Sequence, residues 1–230
     1  MSGSSMVSDE QNKLHIFNAL CVVFFVASLL WDGTGLDPAV SQLFGSAQGF
    51  ALRSDWFLTR VMHDGARGFA WLLLGVMICM ALFARQDGLR RSARWAVAGT
   101  LMAVLLVQWL KWISATSCPW DLHLFGGHAG LVSHWNFRIT DGGPGRCFPA
   151  GHASTGFALL PAWVALQKHM RHPLLVLGMV VFVGLALGMV QVLRGAHFVS
   201  HVMWSGSACV LVAWITGAVR DRLTKPETLN

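Results

Sequence analysis

Six apolar runs constrain this chain more than any other feature: Leu14–Trp31, Gly68–Ala84, Trp95–Ser114, Ala153–Gln167, Pro173–Leu193 and Phe198–Val219. Each is long enough, or nearly so, to cross about 30 Å of hydrocarbon as a helix, with its backbone polar groups satisfied inside the segment. The fourth run is the shortest and carries Pro161, which blurs its boundaries. With 54% hydrophobic and only 12% charged residues, the chain is too apolar for a soluble domain of 230 residues. The expected fold is all-α: one six-transmembrane-helix bundle over residues 14–222, between a tail at 1–13 and another at 223–230. No internal repeat or second domain is visible.

Charge sets the expected orientation. The formal net charge is +6, but the basic residues lie between apolar runs rather than on one patch, so no nucleic-acid partner is expected. Ten of the seventeen share one side: Lys13, Arg85, Arg90, Arg91, Arg94, Lys168, Arg171, Arg220, Arg222 and Lys225. The positive-inside rule makes that side the cytoplasm and places both termini there. Met1–Asn12 lacks a basic region and a cleavage site, so the first run reads as a retained helix. The other side carries two long connections, Asp32–Arg67 and Ala115–Gly151, and loops of that length are uncommon unless functional. Within the first, Ser54–His63 alternates at roughly helical spacing and reads as an interfacial amphipathic helix, or more sharply as a lid over a lipid site.

Three clusters fall on that outer face. One closes the third run, from Lys111 to Cys118, Pro119 and Asp121; one is Arg146-Cys147-Phe148-Pro149-Ala150-Gly151-His152; one joins the last two runs, with Gln191, Arg194, His197 and His201. Taken singly, Lys111 reads as a snorkelling residue, Arg194 as an interfacial anchor and His152 as a helix-start residue bonded to a carbonyl. His197 and His201 are spaced i, i+4 and share a helix face, which also suits a metal. Together the set is histidines, a lysine, arginines and a Gly151 turn at a helix start, with few carboxylates. That inventory suits phosphate: cations spread charge over its oxygens, and histidines exchange protons or attack phosphorus.

The order and spacing of these clusters resemble the type 2 phosphatidic acid phosphatase superfamily, integral-membrane lipid phosphate phosphatases related to vanadium haloperoxidases. Its motifs are Lys-x6-Arg-Pro, Pro-Ser-Gly-His and Ser-Arg-x5-His-x3-Asp. Lys111 and Pro119 match the first, with Cys118 in place of arginine; Pro149, Gly151 and His152 match the second, with Ala150 in place of serine. His197 matches the histidine of the third, while Gln191 stands at its arginine and His201 at its aspartate. Arg194, one helical turn beyond Gln191, and Arg146 are the expected replacements for the missing charges. The resemblance implies catalysis by His197 as nucleophile and His152 as acid and base, with His201 orienting His197. It implies phosphate binding by Lys111, Arg194, Arg146 and the backbone at Gly151. Asp121 is a candidate source of the negative charge that His201 lacks. No metal and no cofactor are expected.

Cys118 and Cys147 both fall on the outer side, where an oxidising compartment permits a disulfide tying the first motif to the second. Cys21, Cys79 and Cys209 lie inside apolar runs and read as small core residues. The implied function is a lipid phosphatase of a bacterial inner membrane with a periplasmic active site. Its partners are the bilayer and a lipid phosphate: undecaprenyl pyrophosphate, phosphatidylglycerol phosphate, phosphatidic acid or lipid A. A phosphotransferase using the same phosphohistidine and a non-enzymatic haem- or lipid-binding protein are the alternatives.

Overall fold

A computed structural model describes residues 3–136 and 138–224; Lys225 and the rest of the tail to Asn230 lie outside the described residues, as do Met1 and Ser2. The first helix, α1, runs Gly3–Thr34, so most of the expected N-terminal tail is helical and only Asn12–Thr34 is apolar enough to span. A short α2 (Asp37–Gln42) and a two-stranded antiparallel hairpin, β1 (Gly45–Ser46) and β2 (Gly49–Phe50), follow. Nine residues of π-helix, Phe57–Gly65, then run directly into α3 (Ala66–Phe83). The expected separate interfacial helix is thus the outer end of a 27-residue span, Phe57–Phe83.

The remaining helices are α4 (Asp87–Ile113), α5 (Ser154–Phe157), α6 (Leu160–Leu166), α7 (Pro173–Leu193) and α8 (Val199–Thr224). Five helices among the described residues are long and apolar enough to cross a membrane. The fourth expected span is instead broken into α5 and α6, with a turn at Ala158 and Leu159. Pro161 lies in the first turn of α6, where its missing N–H is harmless; one continuous helix would lose the bond to Phe157 and clash with its carbonyl. Every residue of α6 is buried, so it acts as a core element rather than a lipid-facing rod.

The centre of the bundle is α4, α6 and α8; α1 packs on α8, α3 on α4, and α7 on α5 and α8. Phe17, Val107, Phe157, Leu160, Trp163 and Val210 fill this core, and the Trp163 indole donates to the Pro173 carbonyl at 2.6 Å. Large apolar residues such as Leu30, Phe69, Leu72, Leu105 and Phe182 point outward, as a lipid-facing surface requires. Small residues let helices touch: a Cβ on Gly156 would lie 2.4 Å from the backbone N of Gly184, so α5 and α7 meet backbone to backbone. This is a multi-pass membrane protein.

At one end of the bundle, basic side chains finish the helices. Arg94 donates to the Ala81 carbonyl at the end of α3, and Arg220 to the Val164 carbonyl near the end of α6. At the other end, the long loops weave over the helix tips and gather the conspicuous residues.

Candidate active site

The second loop is pinned to the helices by backbone bonds at each motif. Arg146 N–H donates to Ser114 O, Cys147 N–H to Thr116 O, Trp120 N–H to Gly195 O and Ala150 N–H to His201 O, all at 2.8–3.1 Å. Cys118 and Cys147 are disulfide-bonded, with Cα atoms 5.1 Å apart. Buried Asp141 clamps the same loop, accepting from Ser117 N–H, the Ser117 hydroxyl and Gly143 N–H. The first loop is strapped on top, where Phe50 packs with Leu122, Phe125 and Phe198.

Within this frame five imidazoles form a row. Ring centroids are 4.1 Å apart for His63 and His152, 6.1 Å for His152 and His197, 5.8 Å for His197 and His201, and 5.6 Å for His201 and His134. A carboxylate stands at each end: Asp64 at 2.7 Å from His63 Nδ1, and Asp32 at 3.3 Å from His134 Nε2. His197 lies in the extended turn before α8, with Nδ1 3.4 Å from the Cys147 sulfur.

Cations surround the His152 end. Gly151 has no side chain where a Cβ would touch Lys111 Nζ at 3.6 Å, so the space in front of that ammonium stays open. Arg194 is buried, and its guanidinium is spread between Gln191 Oε1 (Nη1, 3.1 Å) and the Arg53 carbonyl (Nε 3.1 Å, Nη2 3.0 Å). Arg194 thus contacts the Gln191 side chain one helical turn away. Burial pushes the His152 pKa down to about 3, reinforced by His63, Lys111, Arg194 and Arg67. His197 is likewise held well below its usual value, by burial first and then by His201, Lys111 and His152. Both rings are neutral at pH 7 in this state.

The structure does not bring every expected residue to the cluster. Arg146 has an exposed side chain and a left-handed backbone, φ 59°, and Arg67 rather than Arg146 acts on His152. The carboxyl of Asp121, raised by burial, feels Arg53 and Asp141 rather than His197 or His201. The carboxylate at the His201 end of the row is Asp32. The expected helix start after His152 is a turn and the single helical turn α5, too short for an appreciable dipole. Asp32, His63, Arg67 and His134 were missed by reading motifs. The first three sit at or beyond the outer ends of apolar runs, the same position that singled out Lys111 and Arg194.

One set of side chains has metal-ligand spacing among the described residues: Cys118, Cys147 and His197. The two sulfurs are spent on each other in the disulfide, so this donor set does not suit a cation.

The sequence profile of the PAP2 superfamily matches residues 92–225, more than half of the chain and all three motif clusters. The chain belongs to the PAP2 superfamily. Among solved structures, the fold is similar to the first transmembrane PAP2 type phosphatidylglycerolphosphate phosphatase from Bacillus subtilis. The TM-score is 0.54 at 18% identity, covering 91% of this chain and 98% of that one. No curated protein matches by sequence. The PAP2 match reaches from Ser92 through the α8 histidine, so Lys111, His152, Arg194, His197 and His201 all lie within it.

Proposed function

We propose that this protein is an integral-membrane lipid phosphatase, acting on a phosphate mono- or diphosphate ester at the periplasmic face of a bacterial inner membrane through a phosphohistidine at His197. The observation that carries the reading is the pairing of buried His197 with half-buried His152, ring centroids 6.1 Å apart, with Lys111, Arg194 and Arg67 acting on His152. The orientation follows from the basic residues, ten of seventeen of which fall at the opposite end of the bundle or just beyond it.

Nε2 of His197 attacks phosphorus, and the bond from phosphorus to the lipid oxygen breaks. His152 gives that oxygen its proton. Water then attacks the phosphohistidine while His152 takes the water's proton, and inorganic phosphate leaves. Lys111, Arg194, Arg67 and the backbone at Gly151 hold the phosphate oxygens. The depressed His152 pKa fits this cycle. Burial is its first cause and the charges of His63, Lys111, Arg194 and Arg67 add to it; an arriving phosphate offsets those charges and so favours the protonated acid in the complex.

The test is phosphate release from a panel of detergent-solubilised lipids: phosphatidic acid, phosphatidylglycerol phosphate, undecaprenyl pyrophosphate and lipid A. Release that persists in EDTA and disappears in His197→Ala is expected. Undiminished release by a folded His197→Ala protein refutes the phosphohistidine, and loss with EDTA refutes the metal-free chemistry.

A further inference from the structure

His201 is completely buried, and neither of its ring nitrogens has a hydrogen-bond partner among the described residues. It stands between two other imidazoles. On one side is His197, with the rings tilted by 63°; on the other is His134, perpendicular at 89°. His134 is held firmly: its ring stacks on Phe148 at 4.1 Å and 19°, and its Nε2 faces Asp32 Oδ2. The same carboxylate oxygen accepts the indole N–H groups of Trp135 and Trp204, each at 2.8 Å. Indole nitrogens only donate, so this oxygen serves both of them as an acceptor. An Nε2–H donated to Asp32 fixes the neutral His134 tautomer, with Nδ1 as the ring's acceptor.

We propose that Asp32 and His134 are positioning residues that act through His201 to stabilise the positive charge developing on His197 as it bonds to phosphorus. This rests on the reading of His197 as the nucleophile. The need is electrostatic: the side chains acting on His197 are His201, Lys111 and His152, and none of them carries negative charge. An imidazole bonded to phosphorus becomes cationic, and a neutral neighbour stabilises it less than an anion does. Asp32 supplies that anion from the far end of the row, three imidazoles from the phosphorus. His201 itself faces His197, His134, Phe148 and Phe198, with Lys111 of α4 in electrostatic range. His134 faces Asp32 of α1 and feels Asp37 of α2. Asp37 has its own work, capping α8 through the backbone N–H and hydroxyl of Ser200. Burial lowers the His134 pKa, and Asp32 is the largest opposing influence.

The experiment uses the full chain in detergent and the lipid of the panel above that the wild type hydrolyses fastest. The pH dependence of kcat and KM is measured for wild type, Asp32→Asn, Asp32→Glu, His134→Gln and Trp204→Phe, each with a thermal melt. Asp32→Asn should lower kcat about tenfold, with KM within about twofold, the cost of one pKa unit of lost charge stabilisation. The acid limb of kcat should also move to lower pH. A carboxylate favours protonation of the row, and a protonated row holds a His197 that cannot attack. Asp32→Glu should restore the limb, and His134→Gln should reproduce the loss. Trp204→Phe, which keeps the carboxylate, should lower the melting temperature and leave the limb in place. An unmoved limb in Asp32→Asn, with kcat falling only as folded protein falls, overturns the proposal; so does a limb that moves equally in Trp204→Phe. Should Asp32→Asn not fold, His134→Gln carries the same test. Full activity in His197→Ala would instead sink the nucleophile reading, whatever Asp32 does.

Discussion

Arg194→Ala separates a phosphate-binding arginine from an interfacial anchor. In the folded protein the Arg194 guanidinium satisfies Gln191 Oε1, on a side chain only 2% exposed, and the Arg53 carbonyl. Truncation leaves two acceptors without their donor. The Gln191 oxygen is buried, and one such unsatisfied group costs about 1–3 kcal/mol; Arg53 is exposed and its carbonyl can turn to water, so a destabilisation of about 1–3 kcal/mol is expected. If the same guanidinium also stabilises charge on the transferring phosphoryl group, kcat falls a further 10²–10³-fold or so, the usual cost of losing one such donor. Arg194→Lys keeps a charge, but a point charge cannot span both acceptors, so it should recover part of the activity and little of the stability. Phosphate release normalised to folded protein, with thermal unfolding in detergent, reads both quantities. Arg146→Ala is the control: its exposed side chain predicts a change within about 0.5 kcal/mol and near-wild-type release. Full release by folded Arg194→Ala, or an equal loss in Arg146→Ala, would refute the assignment.

Acid should destabilise the protein through His152. Its folded pKa of about 3 lies below the ordinary value of 6.5, so this contribution is complete above pH 6.5 and fades as pH falls toward 3. One proton is worth about 1.4 kcal/mol per pH unit in that window, and melts of His152→Gln should show a correspondingly shallower decline. Reducing the Cys118–Cys147 bridge releases a loop with a sequence separation of 29 residues, worth about 3–4 kcal/mol on the chain-entropy account. Because the Cys147 sulfur abuts His197, reductant should also depress turnover below the melting transition, scored beside alkylation of the two thiols. Gly156→Ala puts a Cβ 2.4 Å from the Gly184 backbone, which cannot yield as a side chain can; a loss of about 1–3 kcal/mol is expected, and an unchanged melt would argue that α5 and α7 sit further apart.

Part of the histidine and cation cluster stands out in the sequence alone. Lys111, His152 and His197 stand out because each is ionisable at the tip of an apolar run, and the contact between Gln191 and Arg194 is what helical periodicity leads one to expect. The broken fourth span was half legible: Pro161 announced the interruption, but not that α6 would be buried on all sides. Arg146 is exposed, with a left-handed backbone, and its proximity to Cys147 in sequence says nothing of side-chain direction. Asp32 and His134 were invisible as a pair, since 102 residues separate them.

The sequence by itself determined that the chain crosses a membrane, roughly where its apolar helices lie, and which family its motifs belong to. These are local properties: hydropathy over a helix length, a proline's missing donor, the spacing of a few side chains. Only the tertiary structure decided that five histidines line up between two aspartates, and that the π-helix and the first turn of α3 bring His63 and Arg67 to the His152 end of the row. It also decided that the anion behind His201 comes from α1 rather than from the nearest loop. Those contacts depend on how two long loops close over helix ends. Loop closure across such separations is governed by packing and hydrogen bonding in the whole bundle, which no local pattern encodes.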